Sequence, residues 1–128
     1  MIRRTIPADE PPCPPWLGEV ARDVWAETVR DLTQVPGLLC RVDAAALATF
    51  CEAVETYRAA NAVVLSEGLF ATARNGVVYQ HPAVGIRNKA REQILRIGSK
   101  FGLNPLDRAR CAIDTDPDKA DPAAEFIA

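Results

Sequence analysis

Few residues here are of the types that carry catalysis. His81 is the one histidine among 128 residues, and general-base or nucleophilic chemistry needs such a group held beside a partner in a pocket. It precedes Pro82 at an expected helix start, where a capping or turn role is ordinary. Glu52 and Glu55 lie three apart on one predicted helix, but they flank its apolar stripe and read as a solvated face. Gly68, Gly76, Gly98 and Gly102 are too scattered for a phosphate-cradling loop. Cys13, Cys40, Cys51 and Cys111 form no CxxC and have no neighbouring histidine, so zinc-ligand spacing is absent. They read as reduced thiols, Cys51 being a small core residue. These patterns predict no catalytic residue, no metal site and no cofactor: a protein that is not an enzyme.

Charge offers a different chemistry. The net charge is −2, but it is segregated: residues 1–68 hold six Lys/Arg against ten Asp/Glu, residues 69–113 eight against two, and residues 114–128 one against five. Clustered cations on a helix bind phosphate backbones with little sequence information. The expected DNA-binding residues are Arg87, Lys89, Arg91, Arg96, Lys100, Arg108 and Arg110. A charge stripe also serves as a plain solvated face, and Arg108 and Arg110 could equally pair with acids of a neighbouring subunit, because the first two helices are acidic.

The elements that must position these cations follow from apolar spacing. Leu17, Val20, Ala21, Val24, Trp25, Thr28 and Leu32 predict a first helix from Pro15, stopped by Pro36-Gly37. Asp43 is the expected N-cap of a second, with stripe Leu47, Phe50, Cys51, Val54, Tyr57, Val64 and Leu65 and a stop at Gly68. The two suit an antiparallel pair. Alanines surround the second helix, so more than one of its faces can pack, and Ala53, Tyr57, Ala60 and Val64 are the expected oligomerisation positions. Alanine's high helix propensity accounts for the same composition without an oligomer.

Between β-prone runs, Asn75-Gly76 predicts a hairpin near residues 69–80 with a two-residue type I′ turn. So small a hairpin is marginal in water and should pack on something. A third, long helix follows Pro82, with Ala83, Ile86, Ala90, Ile94, Ile97 and Phe101 inward. At about 100° per residue its cations form two flanks, Lys89, Arg96 and Lys100 on one and Arg87 and Arg91 on the other. Gly102 stops this helix, and Asn104-Pro105 starts a short C-terminal one with Leu106 and Ala109 inward and Asp107, Arg108 and Arg110 outward.

The expected organisation is thus a mainly α protein. It has a flexible Pro-rich arm (1–15), a helical core and oligomerisation domain (16–113) and an acidic disordered tail (114–128). With no apolar run of membrane-spanning length and no signal-peptide pattern, it reads as an intracellular protein without a membrane partner.

ARDVWAETVRDL, LLCRVDAAALATFCEAVETYR, Gly68, the Asn75-Gly76 hairpin, QHPAVGIRNKAREQIL and FGLNPLDRAR follow one another over residues 16–110. Their order and spacing resemble the phage terminase small subunits, in the subgroup common in tailed phages and prophages. That family more often has Thr or Ser before the last proline and small residues after it, where this chain has Asn104, Leu106 and Asp107. The resemblance implies a non-enzymatic genome-packaging factor in the cytoplasm of the bacterial host. Such a factor recognises double-stranded viral DNA, assembles as a homo-oligomeric ring and delivers the DNA to the large terminase subunit, which carries the ATPase and nuclease. It also implies that the C-terminal region docks on the large subunit, with Phe126 and Ile127 as the anchor. The alternative from the residues alone is a small DNA-binding regulator whose corner acts as a helix-turn-helix, although that turn contains a proline.

Overall fold

The apolar spacings produce three helices and one hairpin. In the computed structural model, which describes residues 10–103 and 105–109, α1 spans Glu19–Leu32, α2 Ala44–Glu67 and α3 Pro82–Lys100. Strands β1 (Phe70–Thr72) and β2 (Val78–Gln80) lie between α2 and α3 and pair antiparallel, with Ala71 opposite Tyr79.

The long antiparallel pair is α2 with α3. Ala60 and Val64 are buried with Ala83 and Val84, Asn61 meets Arg87, Tyr57 meets Arg91, and Phe50 lies against Gly98. Higher numbers on one helix meet lower numbers on the other throughout. Helix α1 packs on the first part of α2, where Ala21, Val24, Trp25 and Val29 join Leu47, Phe50 and Cys51 in the main core. Phe101 joins the same core from the end of α3. Leu47 is completely buried, and burial of such a side chain is worth about 1.5–3 kcal/mol. Cys51 is also fully enclosed, and burial, with a smaller contribution from the Cys13 thiol, pushes its thiol up to about 12. The thiols of Cys13, Cys40 and Cys51 are all free, and Cys111 lies outside the described residues.

Several sequence expectations shift. The first helix starts at Glu19 rather than at Pro15, because its cap comes from another element. Gly18 occupies the N-cap position without a side chain to offer, and the Ala21 N–H instead donates to Glu55 Oε2 of α2 at 2.8 Å. Glu55 is therefore half-buried and committed, not a member of a solvated face. Arg22 folds back so that its guanidinium donates to the Pro15 and Leu17 carbonyls. Of the proline-rich arm, Pro11 is almost completely enclosed, and residues 10–13 line one surface pocket with Trp25 and Val29. Asp43 does not cap α2 with its side chain; its carboxylate accepts the Cys40 N–H at 2.9 Å and closes a 3-10 turn over Arg41–Asp43.

The hairpin turn differs too. Ala73 N–H donates to the Val77 carbonyl and Gly76 N–H to the Ala73 carbonyl, each at 2.9 Å, while Asn75 Oδ1 accepts the Val77 N–H. Gly76 has φ +83° and no non-glycine residue among those described has positive φ, so this is a three-residue type I turn with a glycine bulge rather than a type I′ turn. Nor does the hairpin bury its apolar side chains: Phe70 is 65% and Val78 63% exposed, and Leu69, Val77 and Tyr79 are exposed with them.

Candidate nucleic-acid interface

Helix α3 is built to hold its cations in place. His81 is its N-cap: Nδ1 accepts the Ala83 N–H at 3.1 Å, and Nε2, left as the protonated nitrogen, faces Glu67 Oε2 at 2.7 Å. The capping expectation for His81 is met, and Pro82 occupies the first helical position, where its missing N–H costs nothing. At the other end Gly102, with φ +72°, ends the helix. Leu103 N–H donates to the Gly98 carbonyl and Gly102 N–H to that of Ser99, a Schellman stop.

The inward stripe of α3 is as expected at Ala83, Ala90, Ile94, Ile97 and Phe101, and differs at Ile86. Val84 is buried and Ile86 is half exposed, while Arg87 is partly buried in the seam with α2. There the Arg87 Nη1 approaches Asn61 Oδ1 at 3.4 Å, and its Nε is buried with no partner among the described residues. The Arg91 guanidinium lies 5.7 Å from the centroid of the Tyr57 ring, with a long Nη2 to hydroxyl contact of 3.5 Å. Arg87 and Arg91 thus form a pair braced by α2.

Lys89, Arg96 and Lys100 are all exposed and have no ion-pair partner among the described residues. By helical spacing of about 100° per residue they lie roughly opposite Arg87 and Arg91. The two flanks therefore point to two different sides of the helix, one outward and one along the α2 seam, and a single straight duplex cannot lie on both. Glu92 is the one acid on the outer side of α3.

The corner after α3 is only partly as expected. Residues 105–109 are helical and Arg108 is exposed. Leu106, expected inward, is 71% exposed, because Asp107 Oδ2 accepts the Ser99 hydroxyl at 2.6 Å and turns that side of the segment towards α3. Lys100 and Arg108 each follow one partner of this bond, so both sit at the same end of α3. Asn104 and Arg110 lie outside the described residues, as do Phe126 and Ile127.

Of the expected oligomerisation positions, Ala53, Ala60 and Val64 are buried within the chain itself. Helix α3 covers Ala60 and Val64, while Ala59, Val63 and Ile86 beside them stay exposed and line a surface pocket. Tyr57 remains partly accessible beside Arg91. The large apolar side chains left exposed nearby are Val63, Leu65 and Ile86, with the hairpin residues beyond them. One further feature is a ridge of acids. Glu19, Asp23, Glu27 and Asp31 are exposed at four-residue intervals along α1 and take part in no ion pair among the described residues.

Among the described residues, no group of His, Cys, Asp and Glu could hold a metal ion, and no helix is long and apolar enough to cross a membrane. No curated protein and no solved structure matches the chain. A family model described as phage terminase, small subunit, matches residues 21–118, a span that takes in α1 from Ala21 onward, α2, the hairpin, α3 and the corner. By that match across most of its length, the chain belongs to the phage terminase small subunit family.

Proposed function

We propose that this protein is a non-enzymatic packaging subunit that binds double-stranded viral DNA as a ring oligomer and hands it to the large terminase subunit. Membership of the small-subunit family supports the role, and one structural observation carries the DNA-binding part of it: three cations with no ion-pair partner among the described residues, Lys89, Arg96 and Lys100, on the outward side of a capped helix. Phosphate binding of this kind is largely electrostatic and releases counterions. A ring repeats the weak three-cation surface many times, so affinity arises by avidity from a subunit whose own net charge is −2. Arg108 adds to the same surface at the corner.

Assembly would cover what the isolated chain leaves in water. Leu65, Phe70, Val77 and Val78 are exposed together near the α2–β1 junction and the hairpin, and a two-stranded hairpin gains stability when a partner packs on it. Phe126 and Ile127 in the acidic tail are the proposed contact for the large subunit.

The test is duplex binding at graded salt by the full chain and by its Lys89→Ala/Arg96→Ala/Lys100→Ala variant. If each cation meets one phosphate, the slope of log K against log salt should become shallower by about 3 for each subunit in contact with the duplex. An unchanged slope in a variant that still assembles would move the DNA surface elsewhere.

A further inference from the structure

Two charged surfaces have no ion-pair partner among the described residues, and they match. One is the seam pair Arg87 and Arg91, four residues apart on α3, with Asn61 and Tyr57 of α2 holding the guanidiniums and a buried, unpaired Nε on Arg87. The other is the ridge Glu19, Asp23, Glu27 and Asp31 on the exposed side of α1. Like charges four apart destabilise a helix, so the ridge is a local cost that no ion pair among the described residues offsets. Arg22, the nearest candidate, is engaged with the Pro15 and Leu17 carbonyls. On both helices the charged groups repeat at about 6 Å, four residues at 1.5 Å rise.

We propose that the α1 ridge of one copy docks on the α2–α3 seam of the next, Asp23 and Glu27 pairing with Arg87 and Arg91. The inference rests on the oligomer reading above and gives it a contact. The two surfaces are different parts of the subunit, so the contact is heterologous and propagates head to tail, which is what a ring requires. A carboxylate occupant fits the seam better than DNA does. Planar guanidiniums braced by neighbours favour carboxylates in fixed geometry, whereas the unbraced Lys89, Arg96 and Lys100 on the opposite side suit a mobile phosphate backbone. The arrangement leaves that outer side free for DNA in every subunit. Tyr57 and Asn61 act as positioning residues for the two arginines.

Native mass spectrometry of the full chain tests this with two charge reversals, Arg87→Glu/Arg91→Glu and Asp23→Lys/Glu27→Lys. Each alone should raise the concentration for half-assembly by more than tenfold, since like charges then face each other. The second variant changes only exposed groups, so it carries the test even if the first fails to fold. Mixed in equal amounts, the two variants should regain assembly in alternating order, because each reversed surface then meets its reversed partner. Failure of the ridge variant to weaken assembly, or loss of DNA binding by an assembled seam variant, would overturn the contact while leaving the oligomer standing. A wild-type chain that stays monomeric would remove the oligomer reading and this contact together.

Discussion

The cap of α1 gives the sharpest test of how this fold is held together. Glu55, 34 residues along the chain from Ala21, accepts the Ala21 N–H in place of a local N-cap. A missing N-cap costs about 0.5–2 kcal/mol, and a hydrogen bond to a charged acceptor is worth about 1.5–3 kcal/mol. Glu55 is only half-buried, so the lower part of both ranges applies, and Glu55→Ala should cost about 1.5 kcal/mol. For a body of this size, with about 4–8 °C per kcal/mol, the melting temperature should fall by about 6–12 °C. Gly18 sharpens the test, because a Cβ added there would lie 2.8 Å from both Glu55 carboxylate oxygens. Its φ of −71° and ψ of 173° suit any residue. Gly18→Ser should therefore stabilise the Glu55→Ala chain, where it supplies the missing cap, more than the wild-type chain, where it displaces the Glu55 carboxylate from that role. Thermal melting of the four proteins in this cycle decides it. Additive effects, with Gly18→Ser changing stability equally in both backgrounds, would refute the idea that Glu55 caps α1.

Gly85 has nothing within 4 Å of an added Cβ, so Gly85→Ala should raise stability by about 0.8–1 kcal/mol through helix propensity, measured by urea unfolding. Gly102→Ala should lower it by about 1–2 kcal/mol, because φ +72° is strained for any residue with a Cβ, and the same unfolding curves will detect the loss. The Cys51 thiol, raised by burial from 9.0 to about 12, holds its proton more tightly folded than unfolded. Its contribution is thus complete below pH 9 and is lost as pH rises through 12. Unfolding midpoints from pH 8 upward should fall less steeply for Cys51→Ala than for the wild type. Glu92→Gln removes the one acid on the outer side of α3 and should tighten duplex binding at low salt, read by fluorescence anisotropy.

What the sequence made legible follows from local physics. The three helices, the Gly68 and Gly102 stops and the His81 cap depend on neighbours within a few residues, and apolar spacing with capping chemistry found them. The role of Glu55 did not, because it joins two helices across 34 residues and looks in sequence like any acid on a helix flank. The hairpin was legible, but its turn was misread: Asn75 spends its side chain on the Val77 N–H and keeps a negative φ, which leaves Gly76 alone to supply the positive one. The α2-facing edge of α3 was hidden for another reason. Arg87 lies partly in the α2 seam although its charge assigned it to the surface, and Ile86, alone of the expected inward stripe, is exposed. The acidic ridge of α1 was readable as a four-residue repeat; its meaning needed the structure, which excludes an internal partner among the described residues.

Native mass spectrometry of the full chain with and without a DNA duplex, at graded salt, tests assembly and DNA binding together. A closed oligomer should form without DNA and take up one duplex at low salt, losing it as salt rises while the oligomer persists. A chain that remains monomeric at all concentrations, or an oligomer that never holds the duplex, would contradict the proposed function.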